Sequence, residues 1–571
     1  MEKINTFKKN ATSNKLPTLN YETKCFKTDK EKCELFKNIL GKTFSQENSN
    51  TYDEFFYQKI EKYVSEKEYL KSDPYSSEDK RFPEITIEEL KKTLKKLKDD
   101  SASGQDRITN RMLKNLPNFF LKILAKFFNL CLSQSEIPDD WKVSKVTMIP
   151  KKKISSDPSN YRPISVTSCL GKVLERIITN RLYLFLTKKG FLCKQQSGFR
   201  KNRRTADNLV FFTQKVSESL IRGKKVCSLF FDISQAFDKV WHSGIIYKLS
   251  KAGAPLYILE WVKNFLRNRK FFVKINNFES ASGDIDTGVP QGAVISPLLF
   301  SIFINDIPKQ EEKNKSYSTL FADDLVTFFI FNKYGNIKDL INSYLKKIEL
   351  WLSKWRLKMA PEKCSYIIFS GNPSKNQKLS LNLLKKNIPY TDNPIFLGIK
   401  FDESLCFNSH IEFIRSRCQD RINIIKILSH RSWKLSIKTL TGIYNALVGS
   451  IIDYSFFILN LVSNTNMHKL QVLQNITFKS IHHLPYDTPS NIFFKILAEI
   501  KVDTIEARYS ELFIRYIKKS LTFRNDLIID LVRDFVDVFV ESSRADQLES
   551  SSYKTPLCLV SSELSQWLAS L

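Results

Sequence analysis

The sequence predicts a mixed α/β body joined to an all-α region, and three observations carry that prediction. Short, nearly uninterrupted apolar runs, Val226–Phe231 and Leu325–Phe329 among them, read as strands buried on both faces. From Thr86 to about Asp402 such runs alternate with segments whose apolar residues recur at helical spacing. Beyond Asp402 only the helical spacing persists. These shifts divide the 571 residues at 1–85, 86–402 and 403–571, and the length suits two or three domains.

Taken in order, residues 1–85 are a polar extension rich in Lys, Ser and Asn, part helix and part linker, with amphipathic stretches near Lys30–Phe44 and Tyr52–Leu70. Thr86-Ile87-Glu88-Glu89 is a capping box opening a helix that carries Leu90, Leu94 and Leu97. Asn118–Leu132 is a further helix, closed before Pro138. The strand Val226–Phe231 ends in Asp232. In Gly288-Val289-Pro290-Gln291-Gly292 the glycines permit close approach to a ligand, and the Gln291 amide offers donors and an acceptor to a base or sugar. Ser296-Pro297 then reads as N-cap and N1 of a helix bearing Leu298, Leu299, Phe300, Ile302 and Phe303. Ile411, Ile414, Cys418, Ile422, Ile425 and Leu428 form one apolar helical stripe, with Arg415, Arg417, Arg421 and Lys426 at other positions. A second helix carries Leu440, Ile443, Tyr444, Leu447 and Ile451, and residues 525–549 turn acidic, then serine-rich.

Phe321-Ala322-Asp323-Asp324 bears the chemistry. Like charges this close resist ionising, and a hard divalent cation such as Mg²⁺ removes the conflict. Neighbours in a regular strand point to opposite faces, so the pair belongs at the tip of a tight hairpin. Asp232, ending its own strand, is the third carboxylate expected to converge there, enough for two ions at phosphoryl transfer.

The chain holds 89 Lys+Arg against 60 Asp+Glu, a net charge of +29, which predicts salt-sensitive attraction to phosphate backbones. Its 43 Phe and 21 Tyr suit a groove that stacks bases as well as a core. Ten cysteines without CxxC or neighbouring His speak against a zinc finger and a secreted disulfide framework. Met1–Asn10 is no signal peptide, and no apolar stretch is long enough to span a bilayer, so an intracellular protein with no membrane partner is expected.

In their order, FFDISQAFDKVWH, GVPQGAVISPLLF and FADDL resemble the palm motifs of reverse transcriptases from non-LTR (LINE-type, jockey-like) retrotransposons. The segment Trp141–Pro150 with Lys151-Lys152-Lys153, then Asp157–Ser165, Gly171–Ile177 and Gln195–Arg200, is similar to that family's fingers. Trp355–Cys364 and Phe396–Asp402 look like its later motifs, so the resemblance covers roughly residues 90–500. It implies a right-hand polymerase: fingers, a palm of antiparallel sheet with helices, and a helical thumb holding a duplex through its phosphates. Asp232, Asp323 and Asp324 would hold two Mg²⁺ ions, or Mn²⁺, with Lys363 protonating the pyrophosphate. Arg162 and a lysine of the 151–153 run, Lys152 at its centre, would neutralise the dNTP triphosphate. Gln291 with Gly292 would meet the nucleotide or templating base, and Phe237 would exclude a ribose 2′-OH. Arg200 and the primer-grip residues Phe396, Leu397 and Gly398 would contact nucleic acid.

Two positions depart from the family pattern. Ser103-Gly104-Gln105-Asp106-Arg107 stands where Gly-Pro-Asp-Gly is usual, and Ala360 replaces the usual Asn before Pro361. The expected activity is RNA-directed DNA synthesis on an RNA template, primed by nicked chromosomal DNA in the nucleus, without an endonuclease or RNase H domain of its own. A group II intron-type maturase, a viral RNA polymerase and an idle relic or repurposed nucleic-acid-binding protein are the competing readings.

Overall fold

The structure is a computed structural model and describes residues 16–46, 51–70, 83–151, 153–309, 316–485, 487–489, 493, 495, 498–499, 502–540 and 554–569. The chain divides into two compact units. One is Met1–Cys193 with Ser234–Ile307 and Leu350–Lys358; the other is Lys194–Ile233 with Pro308–Glu349 and Met359–Leu571.

The first unit is built on strands Val143–Pro150, Tyr161–Val166, Arg269–Ile275, Phe278–Glu279 and Gly283–Ile285. Val143–Pro150 pairs antiparallel with Tyr161–Val166 and parallel with Arg269–Ile275, which in turn carries the two short strands. The helix Asp29–Phe44, opened by a complete capping box between Thr28 and Glu31, lays Cys33, Phe36, Leu40 and Phe44 on this sheet. Phe36 meets Tyr161 edge-on at 5.5 Å and Phe44 meets Phe271 at 5.2 Å. The N-terminal stretch is therefore part of the first unit's core, and no division falls at residue 85. A second early helix, Glu54–Ser65, is tied down by Glu61, which accepts from the Trp241 indole N–H (2.8 Å) and the Ser243 hydroxyl (2.9 Å).

Thr86 caps the helix Ile87–Leu94 through the Glu89 N–H, as expected. The reciprocal half of the box is diverted, because the Glu89 carboxylate takes a two-pronged contact from Arg181. The helix Asn118–Ser133 also lies where its apolar pattern puts it.

In the second unit, β1 (Lys225–Phe231), β2 (Ser316–Phe321), β3 (Asp324–Phe331) and β4 (Ser365–Phe369) form an antiparallel sheet in the order β4-β1-β3-β2. Helix α1 (Thr205–Ile221) crosses it with every residue from Asp207 to Leu220 buried. Phe212 sits at the centre, ringed by Phe230, Phe328, Phe369, Phe396 and Phe401 at 5.1–6.1 Å. Helix α2 (Asn408–Leu428) buries Ile411, Ile414, Cys418, Ile422 and Ile425, the stripe read from the sequence. The second predicted helix runs from Ile437 to Asp453 through a wide π turn at Asn445–Gly449. Sheet and helices share one apolar cluster reaching from Leu209 to Leu564, so no core boundary falls at residue 402. The acidic stretch forms helix α3 (Asp526–Phe535), while its serine-rich continuation lies outside the described residues. All ten cysteines are free, and among the described residues no helix is long and apolar enough to cross a membrane.

Candidate active site

β1 and β3 run antiparallel with Phe231 opposite Leu325, so one further step sets Asp232 beside Asp324. β2 and β3 are joined by the two-residue turn Ala322-Asp323, with Phe321 opposite Asp324. Three acidic residues from two distant segments thus stand at one end of the sheet. Asp324 keeps an exposed edge, yet loss of hydration, then the charges of Asp323 and Asp232, push its carboxyl up to about 6. An all-oxygen, charge-crowded donor set of this kind fits a hard divalent cation. It is not a ready-made cage: among the described residues no three Asp, Glu, His or Cys side chains are gathered closely enough to hold a metal.

Asp232 does not cap a helix, since residues 234–239 form turns and the next helix begins at His242. Its backbone is strapped instead to the segment that follows the helix Ile337–Trp355: Ile233 bridges Met359, and the Ala360 N–H donates to the Asp232 carbonyl at 3.3 Å. This places the Lys363 ammonium 3.9 Å from the Asp232 carboxylate, both well exposed. Ala360 lies buried there and supplies only backbone.

The turn itself carries strain. Ala322 has φ of 57°, a left-handed conformation costing an L-residue roughly 1–2 kcal/mol. Gln196 holds it: Oε1 accepts from the N–H groups of Gly198 (2.7 Å) and Ala322 (3.0 Å), and Nε2 donates to the Ala322 carbonyl at 3.3 Å. Arg200 folds back to within 3.5 Å of the Gln196 carbonyl. The residues Phe396, Leu397 and Gly398 form a small hairpin in the same unit. Phe396 is buried against Phe212 and Phe230, Leu397 and Gly398 take positive φ, and Tyr454 donates to the Leu397 carbonyl at 2.7 Å.

The remaining predicted residues lie in the first unit. The loop after Thr287 is zipped to its own chain: the N–H groups of Gly288 and Val289 donate to the carbonyls of Val240 and Phe237, and Ser165 N–H donates to the Gln291 carbonyl. A Cβ at Gly288 or Gly292, both at positive φ, would strike the carbonyl of Asp238 or Ser165. Within the fold, the close approach these glycines permit is to neighbouring backbone. The Gln291 amide donates to Asp238 at 2.8 Å, and burial pushes that carboxyl up to about 6. Ser296 is not the N-cap; Ile295 is, Pro297 lies in the first turn, and the buried Ser296 hydroxyl makes no capping bond. Phe237 lies against Phe300, Arg162 is exposed on its strand, and Lys152 lies outside the described residues.

Sequence reasoning missed Gln196 and Gly198 as supports of the turn. It also missed Asn208, buried in α1, whose amide donates to the Leu320 carbonyl at 2.7 Å. Glu175 was missed too, fully buried and accepting from the Val294 N–H at 2.7 Å. For Glu175 a signal existed, because it falls in the buried phase of its helix among Gly171, Leu174, Ile178 and Leu182.

Residues 149–401 match the family described as reverse transcriptase (RNA-dependent DNA polymerase). The chain is 30% identical over 470 residues to the RNA-directed DNA polymerase from mobile element jockey of Drosophila melanogaster, covering 81% of this chain and 50% of that one. It is 29% identical over 439 residues to the probable RNA-directed DNA polymerase from transposon BS of the same fly, covering 76% and 48%. To that fly's probable RNA-directed DNA polymerase from transposon X-element it is 28% identical, covering 68% and 43%. The chain thus spans about half the length of the curated relatives it matches.

Proposed function

We propose that the chain, whose residues 149–401 match the reverse transcriptase family, is a non-LTR-type RNA-directed DNA polymerase extending a DNA primer with dNTPs on an RNA template. One observation carries the reading: Asp232 stands beside Asp324 in register, with Asp323 in the adjoining turn. In this reading the sheet β4-β1-β3-β2 is the palm, and the helices from Asn408 onward serve as the thumb.

Asp232, Asp323 and Asp324 would hold two Mg²⁺ ions, which when bound lower the pKa of the primer 3′-OH and offset triphosphate charge. Lys363, beside Asp232, is the proton donor to the departing pyrophosphate. Arg162 and Lys152 neutralise the triphosphate, Gln291 and Gly292 face the nucleotide, and the Phe237 ring closes the space a 2′-OH would need. Arg200 and the hairpin Phe396-Leu397-Gly398 guide template and primer. The net charge of +29 supports a largely sequence-independent hold on the duplex. Synthesis primed at nicked chromosomal DNA would set this work in the nucleus.

The test is primer extension on an RNA template with Mg²⁺, comparing the chain with Asp323→Ala. Incorporation is expected to vanish in the variant while RNA binding at low salt stays within a few fold. Equal incorporation by both proteins would refute the assignment.

A further inference from the structure

We infer that Gln196 is a positioning residue for the paired carboxylates, fixing the backbone of the β2–β3 turn from which Asp323 and Asp324 project. The inference rests on the polymerase reading above and concerns a residue that touches neither substrate nor the reacting atoms.

A two-residue turn without glycine stores strain and persists only when its surroundings over-determine it. Here both main-chain polar groups of Ala322 are engaged by one side chain, which accepts from its N–H and donates to its carbonyl. That side chain cannot drift, because its own backbone is stitched to the outer edge of β2. Leu320 N–H donates to the Gln195 carbonyl, and Ser197 N–H donates to the Leu320 carbonyl, both at 3.0 Å. Gln196 is only 2% exposed, and the third bond of its amide, from the Gly198 N–H, folds the following chain against the turn. A Cβ at Gly198 would collide with the Ala322 nitrogen, so the approach is as close as backbone allows. The Asn208 amide donates to the same Leu320 carbonyl at 2.7 Å, fixing β2 two residues before Ala322.

Only a carboxamide of this length satisfies the geometry. Glutamate keeps the acceptor and loses the donor, and methionine fills the space with neither. Rotation of the peptides on either side of Ala322 would swing Asp323 and Asp324 relative to Asp232, which is anchored separately on β1. The energetic role of Gln196 is thus spent on the direction in which two acids point.

The experiment uses the full chain as wild type, Gln196→Met and Gln196→Glu. It measures kcat and KM for dNTP in primer extension, Mn²⁺ binding without nucleic acid by electron paramagnetic resonance, hydrogen exchange over residues 316–331, and thermal melting. For Gln196→Met we expect kcat and Mn²⁺ affinity to fall about 10- to 100-fold, the usual range for groups that orient metal ligands. KM for dNTP should stay within about threefold, since substrate contacts are untouched. Exchange should quicken at Ala322 and Asp323 while melting shifts by only a few degrees, and Gln196→Glu should lie between the two proteins. Unchanged Mn²⁺ affinity in Gln196→Met, or a loss of kcat matched by an equal loss of folded protein, overturns the inference. If wild type binds Mn²⁺ tighter than Gln196→Met but extends no primer, the polymerase reading falls and the positioning role stands.

Discussion

Phe237 and Phe300 stack face to face, ring centroids 4.3 Å apart and planes inclined by 23°. Phe300 is fully buried, so its ring is fixed, and it fixes the tilt of the half-buried Phe237. Phe237→Ala is expected to reduce discrimination between dNTP and rNTP by roughly 10- to 200-fold, the range for reshaping a steric pocket. The ratio of kcat/KM for the two sugars checks this, and an unchanged ratio removes Phe237 from the role.

His410 gives the second unit a dependence on acid. Its Nδ1 accepts from the Lys400 N–H at 3.3 Å and its Nε2–H faces the Ser455 hydroxyl at 3.0 Å, so the ring is held neutral. Burial, then the charges of Arg417 and Lys400, lower its pKa to about 4 from the ordinary 6.5. The unfolded chain takes up the proton first, so this contribution is complete above pH 6.5 and is lost as pH falls from 6.5 towards 4. Melting curves of wild type and His410→Gln should therefore converge across that window, by on the order of 3 kcal/mol.

Asp238 acts in the opposite sense. Its carboxyl is raised by burial from 3.8 to about 6, opposed by the Gln291 amide and the charges of Lys239 and Lys151. Its stabilising protonated form is complete below pH 3.8 and is lost as pH rises through 6. Asp238→Asn keeps an acceptor for Gln291 and removes the buried charge, so it should raise stability at pH 7 and leave it unchanged near pH 3.5. A lower melting temperature at pH 7 would show that the charge is matched by groups beyond these.

Phe212→Ala removes the hub of six aromatic rings in the second unit. The expected cost is about 3–5 kcal/mol, the range for a fully buried Phe, read as a shifted denaturation midpoint. Phe212→Leu should recover most of it.

The strands were legible where apolar runs were bounded by acids, as at Asp232 and Asp324, because burial on both faces leaves no room for alternation. The cap at Thr86 and the stripe from Ile411 to Ile425 were legible because both are local rules of helix geometry. What stayed hidden depends on partners far along the chain. Asp526, Asp530 and Asp534 recur every four residues within the stretch that shows in the sequence only as acidic. In the fold they meet Arg203, Lys194 and Lys215 at 3.8, 2.9 and 2.9 Å, on segments some 300 residues earlier. Asp207 likewise accepts from the Tyr516 hydroxyl at 2.8 Å inside the core. No periodicity announces such pairs. Gln196 was hidden for the same reason: its bonds run to a turn 126 residues away.

Gln214, in the middle of α1, accepts the backbone N–H of Leu557 at 3.0 Å. Ribosomal synthesis delivers these two residues at widely separated moments, so the helix beneath the sheet waits, incompletely covered, until the segment around Leu557 emerges. A frameshift or stop codon before Leu557 would leave the Gln214 carboxamide without that partner and uncover the apolar flank of α1.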